Sequence, residues 1–208
     1  MRYSGPIEVH ITVEIENTPS ERARFQAACV AQNGKSIWIE LEQGQTINQP
    51  MYGARFSSSV QEQANEIRRL VDILGQDFSI TRIKVEAGPY NENIPQSESD
   101  ARDEPAECYF EHHVALGLKP DTDFDQLKSD LATYDGYLSR NAFKTASKTG
   151  LQTRFVTQRF KSIGQAAADT RLDHLLNYAK QLNIEVVDVE REYNIFDSNL
   201  HLDKGWMS

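Results

Sequence analysis

The residues of this chain best suited to chemistry are His10, Thr12 and His113, together with four cations, Arg82, Lys84, Arg154 and Arg159. Imidazole changes its charge near neutral pH, a hydroxyl both donates and accepts hydrogen bonds, and ammonium or guanidinium groups hold carboxylate or phosphate. Spacing makes the set more than an inventory. Thr12 follows His10 by two residues and Lys84 follows Arg82 by two, so on strands each pair projects from one face. In the stretch Thr153-Arg154-Phe155-Val156-Thr157-Gln158-Arg159, Arg154 and Gln158 share one side and Thr153, Thr157 and Arg159 the other. The competing structural reading pairs those arginines with Asp188, Glu190 and Glu192 on the last strand and leaves the histidines as ordinary polar-face residues.

The elements that must position these groups follow from hydrophobic periodicity. Ile7, Val9, Ile11, Val13 and Ile15 alternate with Glu8, His10, Thr12 and Glu14, the pattern of a half-buried strand. Thr18-Pro19-Ser20-Glu21 caps a helix that Asn33-Gly34 ends. Two more strands, the second a weaker one beginning at Met51, lead to the capping box Ser59-Val60-Gln61-Glu62. Val60, Ala64, Ile67, Val71 and Leu74 then recur at helical spacing, and a strand to Ala87 completes the first half. Residues 89–106, acidic and carrying three prolines, read as a linker too poor in apolar residues to order strongly. The same order of strand, helix, strand, strand, helix, strand returns over 107–208, with a tail that contains Leu200, Leu202 and Trp206.

This order predicts an α+β protein made of two ferredoxin-like halves: 1–88, then 107–208 with its tail, each an antiparallel sheet with helices on one face. The duplicated halves are expected to cover their open faces against each other, leaving a polar cleft that contains the candidate residues. Glu8, His10 and Thr12 would share that face with Arg82, Lys84 and Glu86 on the fourth strand.

Within this scheme Val9-His10-Ile11-Thr12-Val13 resembles the histidine, apolar, Ser/Thr motif of the two-histidine phosphoesterases, the superfamily of the RNA ligase-like cyclic phosphodiesterases. Laying Glu8 to Val13 over Glu111 to Leu116 pairs His10 with His113, although the second motif reads His113-Val114-Ala115 and lacks the hydroxyl. The resemblance implies metal-independent hydrolysis of cyclic or linear phosphodiesters, with His10 and His113 as acid and base and Thr12 on the phosphate.

Composition narrows the partners. A net charge of −9 over 208 residues argues against a protein that coats nucleic acid. No run approaches the roughly 20 apolar residues of a membrane span, and the first six residues have no apolar leader core. Cys29 and Cys108, far apart and in no metal-like spacing, predict reduced, buried thiols and a cytoplasmic protein. Adjacent strand residues point to opposite faces, so Glu111-His112-His113 predicts no metal site, and no cofactor motif is present. The expected partner is a small anionic ligand or a protein bound in the cleft, with homo-oligomerisation left open.

Overall fold

Residues 3–143 and 150–207 are described by a computed structural model. The opening alternation forms β1 (Ile7–Glu14), and α1 (Pro19–Ala31) follows, its first turn capped by the Thr18 hydroxyl, which accepts from the Glu21 N–H at 3.3 Å. Asn33, at φ 56°, turns the chain out of the helix. β2 (Lys35–Leu41) and β3 (Asn48–Phe56) lead to α2 (Val60–Leu74), which starts with the reciprocal Ser59 and Glu62 capping box, and then to β4 (Ser79–Ala87). The acidic segment is better anchored than its composition suggests. It contains α3 (Glu98–Ala101), and Ile94 and Ala101 are buried. β5 (Tyr109–Leu118), α4 (Phe124–Ala132), β6 (Tyr137–Asn141), β7 (Gln152–Phe160), α5 (Gln165–Gln181) and β8 (Glu185–Asp197) follow, and after them a 3-10 turn, Leu200–Asp203.

The strands do not form two open ferredoxin-like sheets. All eight join in one closed antiparallel barrel in the order β1-β3-β2-β6-β7-β5-β8-β4. One seam is β2 with β6, where Ile39 lies opposite Asn141 and Leu41 opposite Ser139. The other is β4 with β8, where Lys84 lies opposite Asp197 and Ala87 opposite Tyr193. An open sheet leaves a row of unsatisfied N–H and C=O groups at each edge, and closing the ring gives each edge a partner along part of its length. Periodicity reports which face of a strand is apolar; it carries no information about which edges meet. The closed barrel therefore corrects the reading of a ferredoxin-like duplication. It also conflicts with the two-half scaffold on which the phosphoesterase expectation rested.

The core lies outside the ring. Ile7, Val9, Ile11 and Val13 pack outward with Phe25 and Cys29 of α1 and Leu70 and Leu74 of α2. Val114, Leu116 and Leu118 do the same against Leu127 and Leu131 of α4 and Leu172 and Leu175 of α5. Cys29 and Cys108 are free and buried, and burial pushes their thiols up to about 12 and about 11. On β1, β4 and β5 the apolar face is spent on this shell and the polar face lines the lumen, whereas β2 turns Ile37, Ile39 and Leu41 inward. No helix among the described residues is long and apolar enough to cross a membrane.

Candidate functional site

The lumen is a cavity of about 450 Å³ into which Glu8, His10 and Thr12 project from β1. One end is filled by the final turn of the chain. Asp203 there accepts hydrogen bonds from Arg82 at 3.0 Å, Arg159 at 2.7 Å and Gln49 at 3.0 Å. Trp206 donates its indole N–H to the Leu138 carbonyl at 2.9 Å and sets its ring edge against Tyr137. Arg82 also donates to Asp197 at 2.9 Å, and the Tyr109 hydroxyl reaches the same carboxylate at 2.7 Å. Burial alone would lift the Asp197 and Asp203 carboxyls; Arg82, joined at Asp203 by Arg159, outweighs it and holds both below the ordinary range. The floor of the lumen is thus a charge-matched plug.

One tier higher, Lys84 is wedged between Glu86 and Glu111 and contacts both, while Glu111 also accepts from Arg159 at 2.8 Å. His10 Nδ1 lies 2.7 Å from Glu86 Oε2, and its Nε2 lies 3.5 Å from Glu8. Burial alone would lower the imidazole, yet the Glu86 carboxylate, supported by Glu8, lifts it to about 10, so the ring is an imidazolium at neutral pH. Gly53 faces it from β3. A Cβ at that position would lie 3.2 Å from His10 Cδ2 and 2.9 Å from Ile37 Cδ1, so the absence of a side chain is what gives the ring room.

His113 stands on β5 with Nδ1 2.9 Å from the Thr157 hydroxyl and Nε2 3.4 Å from Glu111 and 3.6 Å from Glu192. The Glu192 side chain is only 10% exposed, and no hydrogen bond to it occurs among the described residues. Burial first, and the nearby Glu86 carboxylate second, push its carboxyl well above the ordinary range. Glu86, His113 and Glu192 each bring one ligand-capable atom within 4.8 Å of the other two. Across the lumen from these groups Ile37 and Ile39 of β2, Met51 of β3 and Phe155 of β7 form an apolar wall, bordered by the uncharged polar residues Gln49, Ser139 and Asn141.

Of the candidates taken from sequence, His10, Thr12, His113, Arg82, Lys84 and Arg159 all line this one cavity. The β1 and β4 register sets His10 opposite Lys84 and Thr12 opposite Arg82. His10 touches Glu86, and Glu86 in turn approaches His113. Arg154 lies elsewhere. It faces out of the barrel over the Phe124 ring at 4.9 Å, and with Arg22 and Arg140 it lines a separate surface depression. The expected pairing of the β7 arginines with β8 does not form, because β5 lies between those strands, and Arg159 meets Glu111 and Asp203 instead.

Sequence reasoning set Glu86 on the face of His10 and Thr12 but did not place Glu111, Glu192, Asp203 or Trp206 in the site. The alternation of Glu190 with Glu192 on β8 and of Glu111 with His113 on β5 was the available signal for two of them, Glu192 and Glu111; nothing local placed Asp203 or Trp206 in the lumen.

No family model and no curated protein matches this chain. Among solved structures, similarity is found to a mutant chlorite dismutase from Candidatus Nitrospira defluvii, at 9% identity and TM-score 0.31 over 92% of this chain and 91% of that one. A dye-decolorizing protein from V. cholerae is similar at 9% identity and TM-score 0.27 over 96% of each chain. Similarity this remote carries no argument about the chemistry of the lumen.

Proposed function

We propose that the protein is a small-molecule-binding barrel whose lumen takes a compact organic molecule with one polar end. The observation that carries this reading is the division of a single cavity into an ionic wall, built from β1, β4, β5 and β8, and an apolar wall of Ile37, Ile39, Met51 and Phe155. Its volume of about 450 Å³ falls among small-ligand sites, which run from roughly 300 to 1,000 Å³. The lumen cations offered by the sequence to an anion are already engaged: Arg82 by Asp197 and Asp203, Lys84 by Glu86 and Glu111, Arg159 by Glu111 and Asp203. The polar end that this wall favours is accordingly a hydrogen-bond donor or a cation directed at Glu192, not a carboxylate or phosphate.

A titration with the uncharged dye N-phenyl-1-naphthylamine tests the reading. Saturable fluorescence enhancement at one dye per chain is expected. An Ile39→Trp variant, which fills the apolar wall, should lose that enhancement while keeping the far-ultraviolet circular dichroism of the parent. Non-saturable dye uptake, or unchanged affinity in Ile39→Trp, would remove the lumen as the binding site.

A further inference from the structure

We infer that Glu86, His113 and Glu192 form a site for one divalent transition-metal ion on the ionic wall of the lumen. The inference does not depend on an organic ligand being bound there. Two carboxylates and an imidazole are the donor set that suits manganese, iron, cobalt or zinc in their divalent states. Ligand atoms bound to one such ion at about 2.1 Å stand roughly 3 Å apart. The three candidate atoms already lie within 4.8 Å of one another, so side-chain adjustments on the order of 1 Å bring them together.

Two features point to a ligand beyond the bare cluster. The first is the setting of His113. The Thr157 hydroxyl, 2.9 Å from Nδ1, holds the ring so that Nε2 faces Glu111 and Glu192; in the tautomer with the proton on Nδ1 this is the arrangement by which outer hydrogen bonds orient a metal-binding imidazole. Glu86 is steadied in the same way, by His10 at 2.7 Å and by Lys84. The second is Glu192 itself. Its side chain is nine-tenths buried, it accepts no hydrogen bond among the described residues, and no lysine or arginine among them forms an ion pair with it. The cations whose charge reaches it are committed elsewhere: Lys84 to Glu111 and Glu86, His10 to Glu86 and Glu8, and Arg55 to Glu8 and Glu190. A buried carboxylate left in that position lacks the positive charge a divalent ion supplies. Three protein ligands leave at least one coordination position facing the lumen, the open arrangement of a site that can also engage water or a bound molecule.

The test is a titration of the chelator-treated protein with Co2+, followed by visible absorption and calorimetry. One equivalent should bind with d–d absorption and a raised Tm, and Zn2+ should bleach the colour. Glu192→Gln, which preserves shape, should weaken Co2+ at least tenfold. Thr157→Val, acting only through the orientation of His113, should weaken it about tenfold. Arg154→Ala, on the outside of the barrel, should change nothing. Absence of stoichiometric uptake by the parent protein, or parental affinity in Glu192→Gln, would overturn the site. Should His113→Ala fail to fold, Glu192→Gln and Thr157→Val still decide the question. The dye titration run on the same proteins keeps the two readings apart, since loss of Co2+ binding with dye binding retained, or the reverse, identifies which one fails.

Discussion

At the floor of the lumen Asp203 meets Arg159 at 2.7 Å and Arg82 at 3.0 Å, whereas one tier above, Glu192 pairs with no lysine or arginine among the described residues and has the His113 imidazole at 3.6 Å. Both tiers are buried and ionic. They differ in charge matching, and the difference separates a structural network from a receptive one. A saturated network fastens the chain's last turn to the barrel; an unsaturated carboxylate marks the place where something else completes the shell.

Breaking the matched tier should have the largest effect. Arg82→Met leaves Asp197 and Asp203 buried without their shared partner and should cost about 3–5 kcal/mol, read from denaturant unfolding. If the loss stays below about 1 kcal/mol, the floor is not the fastening proposed here. Adjacent histidines extend the comparison to the two faces of β5. His112 is buried on the outer side against Phe160, and burial lowers its imidazole to about 4. The folded state therefore resists a proton that the unfolded chain accepts near 6.5. Stability from this group is complete above about pH 6.5 and is lost as pH falls toward 4, up to roughly 3 kcal/mol. In His112→Leu this part of the pH dependence should vanish; an unchanged slope between pH 6.5 and 4 would assign it to other groups.

Smaller effects sharpen the contrast within the lumen. Gly53→Ala should cost about 1–3 kcal/mol, because the added methyl presses on His10 and Ile37, and Ile37→Val in the same chain should recover part of it. Glu192→Gln should change stability least, by less than about 1 kcal/mol and in the stabilising direction, since it removes a buried carboxyl that has no hydrogen bond. A loss above about 2 kcal/mol there would show Glu192 to be part of the matched network after all.

Much of the local structure was legible. The capping residues Thr18, Ser59 and Asp123 all cap helices, since capping depends on groups three residues apart. β3 begins at Asn48, earlier than its pattern suggests, because Pro50 reads as a breaker. Its missing N–H is tolerated beyond Met51, the last β3 residue paired with β1. His10, Thr12, Arg82 and Lys84 could be placed on one surface because they lie on strands whose alternation is unambiguous. Glu192 and Asp203 could not. Their meeting with His113 and Arg82 depends on strand order and on where the tail returns.

By itself, the sequence determined which side of the first strand is polar and which residues of the first and fourth strands stand together, because side-chain direction repeats with a period of two along any strand. Tertiary structure alone decided that the two sheets share both edges. Backbone N–H and C=O groups are the same at every residue but proline, so edge pairing leaves little mark in residue type. That closure turns two expected open faces into one enclosed lumen, and with it brings Glu86, His113 and Glu192 from three strands to a common point.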